Sequence, residues 1–172
     1  MPSWPWLGFA PLYDGLWITP RPVADDAQAL IVKLGIVQAS IVEGDIEGIG
    51  VSHGKPTDAW DIAAIAGLYR EFLDGVDGLG EVSTDPVAAL VLRTELVNVW
   101  RSFPRLDPDL PLALLPGNWP RADAQAAFVR LYNALAPAAM RRVRSALDRV
   151  EPEYGQHVAA HLLGTRTGAL LG

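Results

Sequence analysis

Three carboxylates alternate along one short stretch, Glu43, Asp45 and Glu47. On a strand, alternate residues share a face. Such a trio could hold Mg²⁺ or Ca²⁺, both of which take oxygen ligands. No EF-hand spacing accompanies them, and a solvated strand face is the plainer account. His157 and His161 stand at i, i+4, the spacing at which a helix presents two zinc ligands. Position 158 is valine, so the rest of HExxH is absent, and a solvent-exposed tail explains both histidines. Ser52 adjoins His53 in a glycine-rich loop, yet a Ser–His nucleophile needs an orienting acid and an oxyanion hole, and no GxSxG is present. The run from Gly44 to Gly50 lacks the GxGxxG order, the GK[ST] ending and an immediately following helix. No catalytic residue, metal ligand or cofactor is assigned on these grounds.

The arginines offer a different chemistry. Arg141, Arg142 and Arg144 form the densest basic cluster. Their simplest role is the wet face of an amphipathic helix, with Arg144 and Asp148 paired at i, i+4. Arg93, Arg101 and Arg105 flank a corner that contains Trp100, Phe103 and Trp119. A guanidinium beside an aromatic ring suits a phosphate or carboxylate carried next to a flat apolar group. A structural account competes and is the stronger one from the residues alone. In it, Arg101 or Arg105 pairs with Asp107 and caps a helix end, while the aromatics are core.

Composition narrows the classes. Half of the 172 residues are apolar, enough for a real core. No apolar run reaches the roughly 18 residues of a membrane helix. The start, Met1 to Trp6, has no basic segment followed by an apolar one, so a signal peptide is not expected and the cytoplasm is the default. Cysteine is absent, which excludes a disulfide scaffold, a thiol nucleophile and a thiolate zinc site. The net charge is −6, and Lys33 and Lys55 are the two lysines. Binding nucleic acid usually takes a basic face that replaces counterions on phosphates. These 172 residues alone are a poor DNA-binding unit.

The elements that must position these residues follow from the pattern. Residues 6–20 predict a hairpin about Asp14-Gly15, because both turn residues tolerate positive φ. Val23–Leu34 predicts a helix with Asp25 and Asp26 in its first turn and Gly35 as its C-terminal stop. Ile36–Ile46 is rich in β-branched residues and predicts a strand. Thr57 onward predicts a helix whose face carries Trp60, Ala63, Ala64, Gly67, Leu68 and Phe72, ended by Gly75. Asp85-Pro86 opens the next helix, with Ala89, Leu92, Leu96, Val99 and Phe103 on one stripe and Arg93 on the charged side. A proline-stiffened connector and an apolar plug, Leu112–Pro116, lead to Trp119. Pro120 starts a helix with Ala124, Phe128, Leu131, Tyr132 and Leu135 inward, and Pro137 is expected to break it. Met140, Val143, Leu147 and Val150 continue the pattern, and residues 156–172 read as a frayed tail. The fold class is α+β, with the domain boundary expected within the glycine-rich stretch 75–82.

One stretch carries a resemblance. Trp100-Arg101-x-Phe103-Pro104-x-Leu106-Asp107-Pro108-x-Leu110-Pro111-x-x-Leu114-Leu115-Pro116-x-x-Trp119-Pro120 resembles the C-terminal domain of PaaX-family transcriptional regulators, the repressors of phenylacetate catabolism. Ala126-Ala127-Phe128-x-x-Leu131 fits as well, and Leu7 to Pro20 looks like part of that family's ferredoxin-like middle domain.

The resemblance implies a partial ferredoxin-like segment at 1–80, a helical domain at 81–155 and a tail at 156–172. It implies a non-enzymatic, dimeric repressor that senses an aryl-CoA effector, typically phenylacetyl-CoA. Family members carry an N-terminal winged helix that reads DNA, and this chain is expected to begin after it. The effector contacts expected here are Arg93, Trp100, Arg101, Arg105 and Trp119, since coenzyme A phosphates need cationic donors. Two other classes compete: a metal-dependent hydrolase or nuclease using Glu43, Asp45 and Glu47, and a ligand-free assembly module pairing through an exposed sheet edge.

Overall fold

The computed structural model describes residues 7–13, 15–44, 55–155 and 157–164. The chain forms two compact units, one of residues 1–65 and 102–119, the other of residues 66–101 and 120–172. The mixed α+β class holds, with helices dominating and one small sheet.

In the first unit, β1 (Ala10–Tyr13) pairs antiparallel with β2 (Leu16–Ile18). Gly15 sits at φ +77, the positive φ that the Asp-Gly turn called for, although Asp14 itself lies outside the described residues. The helix α1 (Ala24–Lys33) ends as expected. Gly35 at φ +65 donates to the Val32 carbonyl, and the Ile36 N–H reaches back to Ile31. That pair of bonds is a Schellman stop, which needs a left-handed residue at the glycine.

The strand expected at Ile36–Ile46 does not form over 36–44, its described part. Val37 and Val42 are almost fully exposed. β-branched residues favour a strand only where a neighbouring strand and a buried face receive them, and neither is given to this segment.

After a 3₁₀ turn at Pro56–Ala59 comes α2 (Ile62–Asp77). Its cap is Asp61, whose carboxylate accepts from the Ala64 N–H at 2.8 Å. The expected start at Thr57 is therefore early by about a turn, and the helix passes through Gly75. The inward face changes too. Ile65, Ala66 and Tyr69 are buried and Phe72 and Val76 pack on the core, while Ala63 and Ala64 face solvent and Leu68 is 38% exposed. Apolar residues surround this helix, so the pattern left its phase open. The larger side chains turned inward.

The second unit is built on α3 (Pro86–Trp100) and α5 (Arg121–Leu147). Asp85 caps α3, accepting from the Ala88 N–H at 2.7 Å. The core joins Ala89 and Leu96 of α3 to Phe128, Leu131, Leu135, Ala138 and Ala139 of α5. Alanines on both helices let the backbones approach closely.

Pro137 does not break α5, which runs unbroken from Arg121 to Leu147. Pro137 itself is exposed, and buried residues flank it on both sides: Leu135 and Ala136 before, Ala138 to Met140 after. A mid-helix proline costs about 3 kcal/mol, and burying this face on both sides of it offsets that cost. The short helix α6 (Pro152–Gly155) follows.

Candidate functional site

The corner resolves into defined pieces. α3 stops at Trp100, with Arg101 as its C-cap. A single turn, α4 (Phe103–Leu106), follows in the first unit. Phe103 is thus not on the α3 stripe, and it is buried. Asp107 is the buried charged residue there, 5% exposed. Its Oδ1 accepts from the Asp109 N–H at 2.8 Å, an Asx turn that holds Asp109 at φ 61.

Arg21, confined between Pro20 and Pro22, donates from Nη2 to the carbonyls of Pro104 at 2.8 Å and Asp107 at 3.0 Å. Nothing in the sequence pattern singled out Arg21 for this role. The plug at Leu112–Pro116 is also corrected. A three-residue 3₁₀ turn leaves Leu112 76% and Leu114 55% exposed, and Leu110 is the leucine that goes inward.

In the second unit the aromatics form a ladder. Trp100 stacks on Phe128 with centroids 4.7 Å apart and planes 10° from parallel. Phe72 tilts against Trp100 with centroids 5.6 Å apart. Phe128 continues to Tyr132 at 5.7 Å. Arg93 closes the ladder, its guanidinium carbon 3.8 Å above the Tyr132 ring.

Arg93 was expected on the charged side of α3. It lies instead on the row Ala89, Arg93, Leu96, Trp100 that faces α5. Its Nε donates to the Tyr132 carbonyl at 3.2 Å and its Nη2 to the His161 carbonyl at 2.5 Å. Among the described residues its hydrogen bonds go to carbonyls and none to a carboxylate. A half-buried guanidinium over an aromatic face, hydrogen-bonded among the described residues to neutral carbonyls, is chemically prepared for an anionic oxygen group next to a flat ring.

Pro137 bears on this site. It has no N–H for the Asn133 carbonyl, so the helical ladder is interrupted one turn earlier. That turn is where outside groups enter. Arg93 bonds the Tyr132 carbonyl there, and the Asn133 side chain reaches residue 163.

The expected residues therefore divide. Arg93 and Trp100 share the ladder of the second unit, and Arg101 is exposed at the end of the same helix. Arg105, exposed on α4, and Trp119, half-buried, belong to the first unit. The contacts of Tyr132 with Arg93 and of Asn133 with Leu163 were not legible in the sequence pattern.

The other constellations weaken. Residues 157–164 are not helical, so His157 and His161 do not form the i, i+4 zinc pair. Nor is 157–164 frayed: it is strapped down by Arg144, Arg93 and Asn133, and Arg144 spends a donor on the Val158 carbonyl. Glu43 is exposed off any strand, and Asp45, Glu47, Ser52 and His53 lie outside the described residues. Among the described residues no group of three His, Cys, Asp or Glu could hold a metal ion, and no helix is long and apolar enough to cross a membrane.

Residues 60–145, half of the chain and most of the second unit, match the PaaX-like protein C-terminal domain. The chain belongs to the PaaX family. Residues 4–56 of this PaaX-family chain match the PaaX protein central Cas2-like domain. It is also similar to the transcriptional repressor PaaX of Escherichia coli (strain K12), 25% identical over 145 residues. That alignment covers 78% of this chain and 46% of the relative, so the chain spans about half the length of the curated relative it matches. No solved structure matches it.

Proposed function

We propose that this chain is the effector-sensing and dimerisation portion of a bacterial PaaX-like transcriptional regulator, acting in the cytoplasm and without catalysis. The observation that carries the reading is Arg93 on the Tyr132 ring, bonded among the described residues to carbonyls and joined through Phe128 to Trp100. The effector is an aryl-CoA thioester. Arg93 and Trp100 meet its anionic and flat apolar parts, and Arg101 at the end of the same helix supplies a further contact. DNA is read by a part of the regulator outside these 172 residues, and the 1–80 portion carries the ferredoxin-like character of the middle domain.

Calorimetric titration of the chain with phenylacetyl-CoA and related thioesters tests sensing. Saturable binding that weakens at least tenfold in Arg93→Met supports it. No binding by any aryl-CoA to the folded protein overturns it. Light scattering that shows a monomer at every concentration removes the dimer.

A further inference from the structure

Residues 158–163 run extended along α3 and α5, and they are held almost wholly by side chains gripping their main chain. Arg144 Nη2 donates to the Val158 carbonyl at 3.0 Å. Arg93 Nη2 donates to the His161 carbonyl. Asn133 clasps Leu163 at both of its peptide groups: Nδ2 donates to the carbonyl and the Leu163 N–H donates to Oδ1, each at 2.9 Å. Leu163 also packs against the buried cluster, while Leu162 is 58% exposed.

A segment with few buried apolar contacts, some of whose hydrogen bonds are exposed as those from Arg93 and Arg144 are, opens locally while its scaffold stays folded. This one lies on the group that the sensing reading needs. The His161 carbonyl occupies the outer nitrogen of Arg93, whose remaining contacts are the Tyr132 carbonyl and ring. A neutral carbonyl is a weaker partner for guanidinium than an anionic oxygen, whose charge-assisted bonds are roughly twice as strong.

We propose that residues 158–163 are a displaceable strap over an anion site at Arg93, and that a ligand presenting a carboxylate or phosphate to Arg93 releases it. The proposal rests on Arg93 being an effector contact. A ligand that binds only the released state has its apparent affinity lowered by the closed fraction. Loosening the strap must therefore tighten binding.

Hydrogen exchange on the full chain, with and without saturating phenylacetyl-CoA, tests this together with titrations of Arg144→Ala and Leu163→Ala. Neither substituted side chain is an effector contact, and Arg144 is exposed, so its variant keeps the fold. The expected result is faster exchange of amides 158–163 on binding, with α3 and α5 still protected. Both variants should bind several-fold tighter, up to the reciprocal of the open fraction. Phenylacetate and coenzyme A, titrated separately, show whether carboxylate or phosphate is the anion taken. Unchanged or slower exchange at 158–163, with equal affinity in all three proteins, overturns the strap and leaves Arg93 as a contact. Undiminished binding by Arg93→Met, or no binding by any of the three ligands, removes the anion site and the strap mechanism with it.

Discussion

Arg21 donates from Nη2 to the Pro104 carbonyl at 2.8 Å. The same nitrogen reaches the carbonyl of Asp107, so one half-buried guanidinium ties the segment after the hairpin to the end of α4. Gly8 leaves it room, since a Cβ there would meet the Arg21 side chain at 3.2 Å. Arg21→Ala is expected to cost about 1–2 kcal/mol, the lower part of the range for hydrogen bonds from a charged group, because one of the two is exposed. Chemical denaturation reads the loss, and an unchanged midpoint would place the hold on α4 elsewhere.

Trp100 and Phe128 stack nearly parallel, with centroids 4.7 Å apart. Phe128→Ala should destabilise by about 3–5 kcal/mol, as for other fully buried aromatics. A double-mutant cycle with Trp100→Leu should give about 0.5–1.5 kcal/mol of coupling beyond area burial. Additive losses would mean that the two rings are neighbours without specific interaction.

Pro137 lies on the exposed side of α5 and denies Asn133 its helical donor. Pro137→Ala restores that bond. Proline is about 3 kcal/mol worse than alanine inside a helix, and part of that returns as lost unfolded-state stiffness. The expected net is a gain of about 1–2 kcal/mol, seen as a higher melting temperature. A lower one would show that the interruption is needed for the Arg93 and Asn133 contacts.

Gly35 has open space about its Cα, so a substitution there tests backbone strain alone. Gly35→Ala should cost about 1–2 kcal/mol for a left-handed residue with a Cβ. Gly35→Asn should recover part of it, since asparagine tolerates that conformation. Equal stability of all three would mean that the end of α1 frays without consequence for the unit.

Tyr132→Leu keeps the apolar volume at the ladder's end and removes the ring beneath Arg93. If the ring face positions the guanidinium for an effector, affinity should fall by roughly 0.5–2 kcal/mol in binding free energy, measured by calorimetry, with little change in melting temperature. An equal loss in stability would assign Tyr132 to packing only.

Local rules carried a good part of the fold. The Asp-Gly hairpin, the Gly35 stop, the Asp85 cap before Pro86 and the α5 face of Ala124, Phe128, Leu131 and Leu135 each depend on residues within a turn or two of one another. They read correctly because that chemistry is complete in the local sequence. The proline- and tryptophan-rich stretch from Trp100 to Pro120 also carried the family, since its spacing is specific over many positions.

The failures share the opposite property. A strand at 36–44 needed a partner that the pattern could not supply. The phase of α2 depended on which of several apolar faces met the core. Pro137 was tolerated because α5 is buried on both sides of it.

By itself, then, the sequence determined both ends of α1, the starts of α3 and α5, the hairpin, and membership of the PaaX family, because caps, turns and spaced prolines act over a few residues. Only the tertiary structure decided that Arg93 faces inward onto Tyr132, that Arg21 holds α4, and that residues 158–163 lie across α3 and α5. Each of those contacts joins residues at least 39 positions apart or binds a main-chain carbonyl. A carbonyl is the same at every residue, so nothing in the side-chain pattern could announce which one would be used.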